Sequence, residues 1–256
     1  MWRRLRITIL LLILLVVAAN TYFARIYSTD WNVPLYVAVF PINADGSAVS
    51  EQYVQQQRPE SLQNIEAFFN EEAKQYGLQM ERPIHLTLAP RLAQSPPALA
   101  PDAGMLSAAL WSLRMRFWAW RIDAPPGRAT DIKLFVLYHD PAISPSVPHS
   151  LGVQKGLFGV VHVFADAGMR GSNETVIAHE LLHTLGATDK YDLRTNQPMQ
   201  PDGYAEPERQ PLYPQSFAEL MGGRIPVSDS ESTTPESLQQ VIVGPKTARE
   251  IGWSKQ

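Results

Sequence analysis

Residues 173–189 read NETVIAHELLHTLGATD, and the way this stretch folds decides the architecture of the chain. Ile177, Leu181 and Leu185 recur every four residues, with Ala178 and Leu182 widening the stripe, so the spacing predicts an amphipathic helix over 173–185. Ser172 or Asn173 is placed to accept its free N–H groups, and Glu174 lies in its first turn. Gly186 is positioned to end the helix with a positive φ. Residues four apart on a helix advance about 6 Å and return to nearly the same face, so His179 and His183 present their imidazoles together. Two imidazoles so arranged reach one zinc ion at about 2.0–2.1 Å. Glu180 stands beside them, where its carboxylate can hold a water without filling a coordination position.

Zinc lowers the pKa of a water toward about 7 and polarises a scissile carbonyl. Glu180 can take the proton and pass it to the leaving amine. A site of this kind needs a third protein ligand. Asp189 is the first candidate, six residues after His183 and just past the reversal at Gly186; Asp192 and Glu219 are the alternatives. Asp192 can also serve as an acceptor for an imidazole N–H, or lie solvated between Lys190 and Arg194. The expected site is therefore His179, His183 and Asp189 as zinc ligands with Glu180 as catalytic base.

His179 to Asp189, HELLHTLGATD, resembles the metzincin pattern HExxHxxGxxH with aspartate in the last ligand position. The resemblance implies zinc bound by His179, His183 and Asp189, with Glu180 as general base. Metzincins also carry a methionine in a tight turn beneath the metal. Ala218-Glu219-Leu220-Met221-Gly222 is similar to that turn, which makes Met221 the candidate, and the interval from Asp189 to Met221 falls in the family's usual range. The aspartate adds negative charge, so it should hold the metal well while making it a weaker Lewis acid than three neutral imidazoles would. Tyr191, Tyr204 and Tyr213 lie between the motif and the turn and are candidates to touch the reacting oxygen. His85, His149, His162 and the His139-Asp140 pair are read as structural or solvent-exposed.

Composition narrows the rest. The chain has 256 residues and no cysteine, which removes disulfides, thiol nucleophiles and thiolate metal ligands. Its net charge is -3, with no basic stripe outside the N-terminus, so nucleic acid is excluded as a partner and a peptide or protein substrate is expected. Arg3, Arg4 and Arg6 precede the apolar run Ile9 to Ala19, which reads as a membrane anchor over 1–24 with the body outside, or as a signal segment cut after Ala19. A tether over 25–33 follows, then a metallopeptidase domain over 34–256, divided into an N-terminal subdomain 34–186 and a C-terminal subdomain 187–256.

Within that domain Leu35 to Phe40, Ile84 to Leu88, Phe117 to Ile122, Ile132 to Tyr138 and Val160 to Phe164 read as strands. Helices are expected over 59–76, 102–114 and 246–251, and loops over 90–101 and most of 141–156. The near-continuous apolar run IKLFVLY at 132–138 predicts a central strand buried on both faces. The fold class is α/β, with a mixed twisted sheet, an active-site helix and an irregular C-terminal subdomain; the metzincin resemblance makes it a zincin. The function expected is zinc-dependent endopeptidase, the alternative a catalytically silent zinc-containing binding domain at a membrane surface.

Overall fold

A computed structural model describes residues 2, 4–8, 11, 12, 15, 28–99, 104–123, 125 and 129–254. The chain is mixed α/β, built on a five-stranded sheet. Its strands are β1 (Leu35–Asn43), β2 (Ile84–Leu88), β3 (Ile132–His139), β4 (Leu151–Val153) and β5 (Phe158–Phe164). They lie in the order β2-β1-β3-β5-β4, the first four mutually parallel and β4 antiparallel at the edge. The middle place of β3 fits its sequence, since every residue but Lys133 is buried.

Parallel neighbours need crossovers, and the helices supply them on both faces. The larger core joins Val37, Ile132, Leu134 and Val161 of the sheet to Ile65 and Phe69 of α2 (Gln63–Gln75) and to Ile177, Leu181 and Leu185 of the motif helix. A shorter helix, α1 (Ala48–Gln56), precedes α2; Ser47 caps it by accepting the N–H of Ser50, and the sequence reading did not anticipate it. Phe40, Phe135, Leu137 and Phe158 face the other way and meet Met115 and Ala119 of α3 (Met105–Arg121).

Helix α3 corrects two expectations. It takes up residues 117–121 of the segment 117–122, expected as a strand, with Ile122 as its C-cap, and the helix does not stop at 114. Trp111, Met115, Trp118, Ala119 and Ile122 all join the smaller core, and their spacing has the period of a helix. Lys133, reaching up from β3, donates to the carbonyls of Ala119 (2.9 Å) and Ile122 (2.5 Å) and so caps the end. The opposite face of α3 leaves Leu106, Leu110, Leu113, Phe117 and Trp120 exposed. The segment 141–156 is mostly loop, as expected, and within it Leu151–Val153 forms the edge strand.

The motif helix, α4, spans Arg170–Leu185 and begins earlier than the sequence suggests. Neither Ser172 nor Asn173 caps it. Asn173 instead exchanges two hydrogen bonds with the backbone of Phe164, tying the helix to the end of β5. The C-terminal region adds short ladders, β6 (Ala218–Glu219) with β9 (Val241–Ile242) and β7 (Ile225–Pro226) with β8 (Ser232–Thr233), then α5 (Pro245–Glu250). Its Leu220, Val241, Val243, Ala248 and Trp253 belong to the larger core.

The expectation of a single-pass membrane protein is overturned: among the described residues no helix is long and apolar enough to cross a membrane. The longest, α3, has 17 residues and carries Arg114, Arg116 and Arg121, whereas a span needs about 20 apolar ones. Most of the apolar run from Ile9 to Ala19, and the tether up to Tyr27, lie outside the described residues.

Candidate metal centre

Helix α4 is packed through Ile177, Leu181, Leu182 and Leu185, all nearly inaccessible to solvent, which fixes its rotation and turns His179, Glu180 and His183 to the other side. Gly186 ends it at φ 103, as its position predicts, and the N–H groups of Gly186 and Ala187 close on the carbonyls of His183 and Leu182. That reversal brings Asp189 back over the helix.

His179, Glu180 and His183 form a group that could hold a metal ion, each offering one ligand atom within 4.8 Å of the others. Both imidazoles are fixed from behind. Nδ1 of His179 lies 2.9 Å from the carbonyl of Leu220, and Nδ1 of His183 lies 2.8 Å from that of Ala187. A carbonyl only accepts, so each Nδ1 carries the proton and each neutral ring directs an Nε2 lone pair forward. The two Nε2 atoms are 3.1 Å apart. Oδ1 of Asp189 is 3.2 Å from the first and 3.0 Å from the second.

Three acceptors thus converge in a nearly equilateral triangle, an arrangement that a cation relieves. Zinc bonds of about 2.0–2.1 Å at tetrahedral angles put ligand atoms about 3.3 Å apart, close to the triangle's edges. The donor set, two imidazole nitrogens and one carboxylate oxygen, suits zinc. Glu180 adds a second sign, for its Oε2 is buried and has no hydrogen-bond partner among the described residues.

Electrostatics follow the same geometry. Burial pulls the pKa of His179 down, but Asp189 and Glu180 outweigh it and raise it above the ordinary value. Burial likewise pushes Asp189 up, and the two imidazoles against it, His179 and His183, reverse this and hold it well below the carboxylate range. Glu180 is raised by burial against the pull of both histidines, while the backbone N–H of Gly152 bonds its carboxylate.

The other candidates separate clearly. Glu219, fully buried, accepts from the N–H of Gly222 (2.8 Å), the N–H of Gly244 (3.0 Å) and the hydroxyl of Thr247 (2.6 Å), which commits it to the turn. Asp192 accepts from the N–H groups of Arg194 and Thr195 and shapes its own loop. Met221 is fully buried in that turn, its carbonyl accepting from the N–H of Lys190. Tyr191 lies with its ring centroid 6.2 Å from that of His179, its pKa pushed up to about 12 by burial and by the Asp189 and Glu180 carboxylates. Tyr204 and Tyr213 bond each other, hydroxyl to hydroxyl, at 2.8 Å.

A cavity of 390 Å³ opens beside His179 and Glu180. It contains residues that sequence reasoning set aside or missed. His162 lines it, bonded to His139 at 2.9 Å, and His149 sits on its exposed rim. Arg224 lines it too, and its one signal in the sequence is its place three residues after Met221 across two glycines. His85 stacks on Tyr36 away from the site. Gly152 is a further residue of consequence: a Cβ there would lie 2.4 Å from Cβ of His183 and 2.5 Å from the carbonyl oxygen of Glu180. No protein-family model matches this chain, and no curated protein matches it.

Proposed function

We propose that the chain is a zinc-dependent endopeptidase of the metzincin kind, with His179, His183 and Asp189 holding the metal and Glu180 as general base. The observation that carries this reading is the triangle of two Nε2 atoms and Oδ1 of Asp189, set beside a buried oxygen of Glu180 that has no partner among the described residues. Zinc, when bound, supplies Lewis acidity toward a peptide carbonyl and toward water. The remaining work falls to the side chains. Glu180 takes a proton from the attacking water and delivers it to the leaving amine. The N–H of Gly152 engages its carboxylate, which leaves Oε2 to face the water. The carbonyls of Leu220 and Ala187 hold both imidazoles in the tautomer that keeps Nε2 free. Met221, fully buried in the larger core, anchors the turn whose Leu220 carbonyl holds His179.

Two measurements on the full chain test this. Metal analysis after dialysis against trace zinc is expected to find close to one zinc per chain; folded protein with none would sink the metal site. Glu180→Gln is expected to keep the metal and to lose about 10²–10⁴-fold in kcat/KM on a cleaved peptide. Wild-type cleavage by that variant would overturn the mechanism while sparing the metal site.

A further inference from the structure

The cavity beside His179 and Glu180 has an uneven charge. Arg224, His149 and His162 stand on its wall with Asn196 and Tyr191, and the only carboxylate among its lining residues is Glu180, which the proposed chemistry already employs. Arg224 is half-buried, and among the described residues no hydrogen bond or ion pair engages its guanidinium. Burial, and then His139 beside it, holds His162 down at a pKa of about 4, so that ring is uncharged near neutrality. Arg224 is then the fixed positive charge of the wall.

The backbone sets Arg224 there. Gly222 lies so close to Gly203 that a Cβ would meet the Gly203 carbonyl oxygen at 2.3 Å, and Gly223 takes φ 74, a conformation that side chains rarely adopt. The chain leaves this double-glycine turn into β7, which is paired with β8 through Ile225↔Thr233 and Pro226↔Ser232. Arg224 is held between a turn anchored under the histidines and a short ladder, so its stem is positioned even though its head is unpaired.

From this we infer that the cavity recognises an acidic side chain of the peptide, with Arg224 as the residue that determines that specificity. The inference rests on the peptidase reading for the identity of the ligand as a peptide. A cavity of 390 Å³ is within the usual range for bound ligands and has room for one acidic side chain together with its neighbours. A guanidinium receives a carboxylate through two parallel N–H···O bonds, and a charge-assisted pair of this kind is worth about 10–100-fold in affinity. A lysine side chain in the same place would meet Arg224 and lose affinity. An uncharged side chain would leave the guanidinium half-desolvated without a partner.

Binding, rather than turnover, tests this. The full chain carrying Glu180→Gln, loaded with zinc, is titrated calorimetrically with blocked octapeptides in which Glu, Gln or Lys is placed at one position at a time. At one position the Glu peptide is expected to bind about 10–100-fold more tightly than the Gln peptide, with the Lys peptide weakest. Arg224→Gln should abolish that difference without moving the thermal midpoint, because Arg224 has no structural partner to lose; Arg224→Lys should keep part of it. Equal binding of Glu and Gln peptides at every position, no binding at all, or a Glu preference that survives Arg224→Gln would overturn the inference. The same peptides are then given to the wild-type chain. Peptides that bind with the Arg224-dependent preference and yet stay uncut would sink the peptidase reading while upholding the acid-binding cavity.

Discussion

At the scale of single residues, the site turns on which carboxylate completes it. Asp189 shares one oxygen between two imidazole nitrogens at 3.0 and 3.2 Å, whereas the side chain of Asp192 is spent on the N–H groups of Arg194 and Thr195. Asp189→Ala is therefore expected to weaken zinc affinity by far more than the roughly 10–100-fold typical of a residue that merely supports a ligand. Asp192→Ala should change the loop and leave affinity within that smaller range. Competition with a chelating dye reads both, and near-wild-type affinity for Asp189→Ala would refute its place as ligand. The meeting of His179, Glu180 and His183 on one helix is legible in the sequence because helical spacing is a local feature, and the glycine stop brings Asp189 near them, though spacing left Asp192 and Glu219 open beside it. Arg224 and His162 were not legible. Each reaches the cavity through a long-range contact, one by the turn packed under the motif helix and one by a strand of the sheet, and no local pattern encodes that meeting.

Among the elements, the edge strand β4 has the most demanding contact, because it crosses the motif helix at Gly152, opposite Gly159 of β5. A methyl group at Gly152 meets Cβ of His183 and the carbonyl oxygen of Glu180, atoms held by helix backbone that cannot step aside. At Gly159 it meets Cδ2 of Leu134 at 2.8 Å, the end of a flexible side chain. Gly152→Ala is expected to cost about 1–3 kcal/mol by overpacking and to displace the N–H that engages Glu180, and Gly159→Ala should cost less. Urea midpoints of the two variants test this, and equal loss in both would show that the closeness of β4 to the helix is not the cause. A strand of three residues inside a Pro-rich stretch carries too little alternation to be read from sequence, which is why this segment was expected as loop. The opposite error at 117–122 has a similar origin. Aromatics at Phe117, Trp118 and Trp120 suggest strand composition, but Trp111, Met115, Trp118 and Ile122 are the residues that pack, and their helical period is visible only once the sheet face they meet is known. Strands β1, β3 and β5 are legible, short of their full length, because burial on both faces leaves long apolar runs, whereas β2, at the sheet edge with only Ile84 buried, is legible through the alternation of IHLTL.

For the molecule as a whole, the two ends of the described domain are clasped over the back of the site. Trp31 packs on Trp253 and donates its indole N–H to the carbonyl of Ile251 at 2.7 Å. Glu250, at the end of α5, accepts from Nζ of Lys190 at 2.8 Å and from the N–H and hydroxyl of Thr188 at 2.9 and 3.0 Å. Lys190 is 3% exposed, so this ion pair ties the C-terminal helix to the very segment that carries Asp189. Burial works to raise the pKa of Glu250, and the bonds from Lys190 and Thr188 outweigh it, leaving the group below its ordinary value of 4.5. A carboxylate depressed in the folded state binds fewer protons there than in the unfolded chain. Its contribution to stability is thus complete above about pH 4.5 and is lost as the pH falls through the folded value. Glu250→Gln leaves Lys190 buried without its counter-charge, and the expected loss near neutrality is about 3–5 kcal/mol. Because the variant has no carboxylate to titrate at this place, its stability should also fall less steeply than that of wild type below about pH 4.5. Chemical denaturation of both proteins across pH 3–8 measures the two effects together. A variant as stable as wild type at neutral pH, or an unchanged acid slope, would mean that the clasp does not hold the Asp189 segment in place.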